Sequence, residues 1–232
     1  MAAVVYTWPC PAPGDVFSTC WGGAGSGASG GAGGGGGGKG WKTFPVLAVN
    51  CGLEIGHGGA VTGLGSGGQN GEDTRMSDGF IFQVRGGRGL GPGAFGGGVG
   101  GLGGDFQGDS GANGQNGLVY SGGPPVWQGG KGGDSGGGDG VGSPGVLWPA
   151  NAGPGGDPGG GGGGGGANFS TGNYSVGGKG GDGRCVFIYT PTGSPISYYM
   201  LVDINTIPGG GVLPAYGTPI IPPSPIRAGF FM

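Results

Sequence analysis

The sequence predicts an irregular, mostly β protein with little or no α-helix: a bundle of polyglycine II helices closed by flanking β-strands. Three observations predict it. All but seven of the 75 glycines lie within residues 22–183, so this block has few side chains to bury and a large backbone entropy to lose on ordering. Charged residues and aromatics each make up 9% of the 232 residues, whereas disordered chains combine high charge with few aromatics. An apolar, strand-like segment stands at each end of the block, VFSTCW at 16–21 and RCVFIYT at 184–190. The chain is therefore read as ordered, with backbone as its building material. No Gly-X-Y register persists along it, which excludes collagen.

The elements follow in order. Residues 3–8 are apolar. Residues 16–21 place Val16, Ser18 and Cys20 on one face and Phe17, Thr19 and Trp21 on the other, the period of a strand. The turn sequence PCPAPG separates these two pieces. Glycine runs then occupy 22–40, 86–117, 129–142, 153–166 and 177–183. They alternate with richer segments at 41–55, 72–85, 118–128, 143–152 and 167–176, a rough internal repeat of unequal period. Each richer segment carries an aromatic, and prolines 45, 124, 125, 144 and 149 mark several as turns. Residues 184–190 are a strand of β-branched and aromatic residues. SYYMLVDI at 197–204 is another strand candidate, and 212–226 is Pro-rich and extended. Two units result: a glycine-rich domain with its closing strands over 1–190, and a docking tail over 191–232.

A polyglycine II helix has three residues per turn and no internal hydrogen bonds, so its N–H and C=O groups must find partners on neighbouring helices. Only glycine allows such close approach. GGLGGD at 100–105 and GGKGGD at 129–134 and 177–182 put a side chain at every third position, on one edge of such a helix. Pairing of the two end strands closes the block and offsets part of its entropy.

Composition also excludes function classes. A net charge of −3 with nine basic residues spread over the chain makes no patch for sequence-independent nucleic-acid binding. The first fifteen residues have no basic start followed by an apolar run, so they do not read as a secretion signal. No apolar stretch approaches the ~18 residues of a membrane span. Four cysteines (10, 20, 51, 185) fit thiols of a reducing compartment, and a Cys20–Cys185 bridge stays open if the ends of the block meet. The Gly-Lys pairs at Lys39, Lys131 and Lys179 lack the Ser or Thr that a phosphate-binding loop needs. The Asp residues of the three GGxGGD runs (Asp105, Asp134, Asp182) resemble calcium-roll positions, but without tandem nine-residue spacing, and they read as turn caps. His57 is the single histidine and reads as a packing residue. No catalytic residue, metal or cofactor is expected.

The strand running into glycine (16–38), CGLEIGHGG at 51–59 and GGKGGDGRCVFIYT at 177–190 resemble the glycine-rich domain of bacteriophage tail fibre and tail-tip adhesin proteins, over about residues 4–190. The resemblance implies a polyglycine II sandwich with loops at one end, in a virion structural protein assembled in the host cytoplasm. Its function would be host-surface recognition without enzymatic chemistry. Its partners would be other virion proteins and a host cell-surface glycan or protein, with no nucleic acid and no membrane insertion. A fibre would be a homo-oligomer and a tip a monomer. The candidate receptor-binding residues are Tyr120, Trp127, Trp148, Phe169 and Tyr174, because exposed aromatics on loops serve recognition. The candidate docking residues of the tail are Tyr198, Tyr199, Phe230 and Phe231. Two other functions fit the composition: a capsid or tail decoration protein with no receptor role, and an ice-binding polyglycine II protein.

Overall fold

The computed structural model describes residues 2–220 except 62, 94–96, 102, 104–106, 121–125 and 169. Among these the protein is mostly β and irregular, without α-helix. The first strands are β1 (Val4–Pro9), β2 (Gly14–Trp21), β3 (Lys39–Val46), β4 (Asn50–Ile55), β5 (Thr74–Ser77) and β6 (Phe82–Gly86). Short strands follow within the glycine block: β7 (Gly108–Asp109), β8 (Leu118–Tyr120), β9 (Val126–Gln128), β10 (Ala167–Asn168) and β11 (Asn173–Tyr174). The chain then continues through β12 (Arg184–Pro191), β13 (Ser197–Asp203), β14 (Gly211–Val212) and β15 (Thr218–Ile220).

Two sheets form a sandwich. One has the order β14-β1-β4-β5-β6, the other β15-β13-β12-β2-β3-β7. Alternation along each strand supplies the core between them: Tyr6 and Trp8 from β1, Cys51, Leu53 and Ile55 from β4, and Cys185, Phe187 and Tyr189 from β12. Burying each large side chain contributes about 1.5–3 kcal/mol. Trp8 is wedged against Phe187 and Tyr189, with ring centroids 5.0 Å away in both cases. The polar tips of these buried aromatics are satisfied. Trp8 Nε1 donates to the Ala215 carbonyl at 3.0 Å, Tyr6 Oη to Asp203 at 2.7 Å and Tyr189 Oη to Ala12 at 2.7 Å. The alternation of Val16, Ser18 and Cys20 holds, all three facing the core.

The ends of the glycine block meet as expected. β2 and β12 pair antiparallel, with Trp21 opposite Arg184 and Cys20 opposite Cys185. The Cys20 and Cys185 sulfurs lie 3.3 Å apart as thiols, fully buried, with Ser18 Oγ 3.4 Å from Cys185. Burial first, then the neighbouring Cys185, pushes the Cys20 thiol well above its ordinary value.

Between these strands the backbone hydrogen bonds follow a period of three. N–H groups of 22, 25 and 28 donate to the carbonyls of 38, 35 and 32. Those of 23, 26 and 29 donate to 72, 69 and 66, and those of 24, 27 and 30 to 181, 178 and 175. Each segment is thus bonded to three neighbours in turn. The second run behaves alike, with Gly33 and Gly36 donating to Gln115 and Ala112, and Gly34 and Gly37 to Gly162 and Gly159. Neighbours come so close that a Cβ at Gly36 would overlap the Asp134 carbonyl. The 29–31 turn at the far end of the first pair needs a φ of +68° at Gly30, a conformation glycine adopts without penalty.

Two richer segments belong to the sandwich: 41–55 crosses from one sheet to the other, through β3 and then β4, and 72–85 is the β5–β6 hairpin. The other three run to the opposite pole of the block. Residues 191–220 continue the sandwich: β13 pairs with β12, and β15 and β14 extend the two sheets.

Candidate functional site

The glycine segments leave the sandwich at Trp21, Ile55, Gly86 and the start of β12, and turn back at the opposite pole. That pole gathers the turns at 29–31 and 63–66, the β8–β9 hairpin, the 147–151 turn and the β10–β11 hairpin. Cross-links show that they meet. Ser29 N donates to Ser66 and Gly30 N to Ser175, and Gln128 bridges to Leu147. A third sheet, β11-β10-β9-β8, caps the pole.

This cap assembles the sequence-predicted aromatics. Trp127 of β9 and Tyr174 of β11 both stand directly opposite Ala167 of β10, so the three side chains share one face. Ala167 is fully buried, which makes that face the inner one, and the Tyr174 ring lies over Gly30. Trp127 and Tyr174 are half-buried. They cover the ends of the glycine segments, which have no side chains of their own to exclude water. Tyr120 stands in β8, one pair along from Trp127. Trp148 follows the Gln128–Leu147 bridge and is half-buried. Phe169 lies outside the described residues. The pole's most exposed apolar side chains are Leu64 and Leu118, with Leu147 beside Trp148.

Of the tail residues, Tyr198 stacks on core residue Tyr189 at 6.3 Å and meets Tyr216 at 4.7 Å. Tyr199 points to the outer face of β13 and is exposed. Phe230 and Phe231 lie outside the described residues. The sandwich end carries its own exposed apolar tip: Leu47 from the β3–β4 turn, with Phe80 and Ile81 from the β5–β6 turn.

The feature that the spread of charges along the sequence concealed is a groove of about 570 Å³ where the β5–β6 hairpin meets the glycine block, lined by Asp73, Arg75, Arg85, Arg88, Leu90 and Val99 among others. Arg75 and Arg85 stand directly opposite each other across β5 and β6, a like-charge pairing that is unfavourable unless an anion intervenes. Asp73 intervenes. Its Oδ2 lies 2.8 Å from Arg75 Nη2 and 3.6 Å from Arg85 Nε, and its Oδ1 accepts the Arg88 backbone N–H at 2.9 Å. Burial pushes the Asp73 carboxyl up, but the Arg88 N–H and the two guanidiniums outweigh it and hold it below the usual carboxylate value. Arg75 is further fixed by Glu54 at 3.7 Å and by the Phe82 ring at 5.3 Å. The Arg88 side chain is exposed and makes no ion pair with a described residue. The signal was present as the hairpin TRMSDGFIFQVR, whose Asp-Gly turn folds distant arginines into register.

His57 Nδ1 lies 3.8 Å from Asp182, and the His57 backbone N–H donates to Glu72 Oε2 at 3.3 Å. Asp134 and Asp182 spend their carboxylates on backbone N–H groups, of Gly142 at 2.7 Å and Gly58 at 2.8 Å, and on the lysine three residues before each. Among the described residues no group of three or more His, Cys, Asp or Glu is placed to hold a metal ion. No helix among them is long and apolar enough to cross a membrane. No family model matches the chain, and no curated protein does.

Proposed function

We propose that this is a virion structural protein, a tail-fibre or tail-tip component, whose glycine block is a bundle of polyglycine II helices that presents its cap to a host surface. The observation that carries the reading is the three-residue period of hydrogen bonds to three neighbours, the pattern that straight three-fold helices would make when packed side by side. Such rods separate two poles. One is a sandwich with an exposed apolar tip (Leu47, Phe80, Ile81), suited to a partner within the particle. The other is a set of turns that exposes Leu64, Leu118 and Leu147 beside the half-buried Trp148, on segments tied together by backbone hydrogen bonds, the usual arrangement for recognition loops. Resemblance of 16–38, 51–59 and 177–190 to phage tail adhesins supports the same assignment. Recognition would be by shape and aromatic contact, without chemistry.

The test is gold-labelled antibody against the chain on the particles of a virus that encodes it. Label at the tail tip or fibres is the expected result. Label spread over the capsid would replace the reading with a decoration role, and particles without label would end it.

A further inference from the structure

We propose that the arginine groove beside β5 and β6 is a binding site for a carboxylate-bearing sugar, such as a uronate residue of an acidic polysaccharide. The site is lateral, away from the aromatic cap, and the inference does not depend on the location of the protein in a particle.

Three observations carry it. The first is concentration of charge: three of the five arginines of an acidic chain converge on one groove, and among its described lining residues a single carboxylate, Asp73, faces them. The second is preorganisation. Asp73 and Glu54 pair with Arg75, and Asp73 also holds the backbone N–H of Arg88, so the Arg88 backbone is tethered beside the groove while its side chain remains exposed to solvent. A planar guanidinium offers paired N–H donors that match the two oxygens of a carboxylate. The third is the apolar part of the lining. Leu90 and Val99, joined by the Leu90 N–H bond to the Val99 carbonyl at 2.9 Å, offer an apolar surface to the C–H face of a pyranose ring. Charged groups together with apolar lining, in about 570 Å³, fit a sugar acid better than a bare inorganic anion, which would leave the apolar lining unused.

The experiment is calorimetric titration of the full chain with three probes: oligogalacturonate, the neutral oligogalactose of the same length, and inorganic phosphate. Oligogalacturonate is expected to bind and to weaken as salt is raised, with the neutral oligomer undetected and phosphate weaker. Arg88→Ala is expected to lower the oligogalacturonate affinity roughly 10- to 100-fold, and Arg88→Lys to recover part of it, since an ammonium cannot make the paired contact. Neither change should move the thermal midpoint, because the Arg88 side chain is exposed. Equal affinity for the acidic and neutral oligomers would overturn the proposal. So would phosphate binding as tightly as the oligomer, which would reduce the site to a general anion site. Full affinity in the Arg88→Ala variant would place the ligand elsewhere.

Discussion

The sandwich and the glycine block are built on opposite principles within one chain. The sandwich buries side chains: Trp8, Phe187 and Tyr189 touch across two sheets whose strands alternate inward and outward. The block buries backbone, and its segments come close because almost nothing projects from them. Removing atoms therefore harms the first, and adding atoms harms the second. The block also carries the greater conformational entropy, and its two ends run into the paired strands β2 and β12, so the sandwich acts as its clasp.

The clasp gives the largest effect. Cys20 and Cys185 face each other across β2 and β12 with sulfurs 3.3 Å apart. Refolding the chain in a glutathione redox buffer should join them, the two thiols reducing one oxidised glutathione to two reduced molecules. A bridge spanning 165 residues would stabilise by up to about 5 kcal/mol through the unfolded state. Thiol counting should fall from four to two, and the thermal midpoint should rise and return on reduction. Four remaining thiols, or no shift, would show that the buried pair is held too rigidly to bond. In the native protein the raised Cys20 pKa leaves little thiolate, so oxidation should be slow once folding is complete.

Much of the clasp was legible in the sequence. VFSTCW and RCVFIYT alternate, and burial follows that alternation except at Thr19, which is buried along with its neighbours Ser18 and Cys20. The cap was partly legible. Trp127, Trp148 and Tyr174 do gather at one pole, but the sequence could not say that Trp127 and Tyr174 turn inward over Ala167, because that depends on cross-strand register. The fate of 41–55 and 72–85 was not recognised. Their aromatics looked like those of the other inserts, yet Cys51, Leu53 and Ile55 alternate as a core-facing strand does, and that period was the distinguishing signal. The arginine groove was hidden for the same reason: a hairpin, not sequence distance, decides which charges meet.

The two building principles can be separated by a pair of substitutions. Phe187→Ala removes a buried ring from the sandwich and should cost about 3–5 kcal/mol in denaturant unfolding. Gly36→Ala adds one methyl to the block. That methyl would overlap the Asp134 carbonyl, a backbone atom that cannot rotate away, so it should cost about 1–3 kcal/mol. Gly93→Ala is the control, since a Cβ there meets nothing within 4 Å. It should be neutral or stabilise by about 0.4–1 kcal/mol through the unfolded chain. If Gly36→Ala matched Gly93→Ala, close backbone approach would not be what holds the block together.

The smallest effect tests the period of three directly, because the GGKGGD sequence occurs twice in different surroundings. In both copies the lysine and aspartate lie three residues apart and pair, Lys131 with Asp134 at 3.3 Å and Lys179 with Asp182 at 2.6 Å. In both the aspartate also accepts a backbone N–H from another segment. The copies differ in burial: the Asp134 side chain is 42% exposed and that of Asp182 only 12%. Water can replace Asp134 at the Gly142 N–H, whereas loss of Asp182 leaves the buried Gly58 N–H without its acceptor. Asp182→Ala should therefore cost about 1–3 kcal/mol and Asp134→Ala under about 1 kcal/mol. Lys131→Ala, which breaks only the exposed ion pair, should be within about 0.5 kcal/mol of the parent and insensitive to salt thereafter. Equal losses at Asp134 and Asp182 would mean that the ion pair, and not the bond between segments, is what each motif contributes.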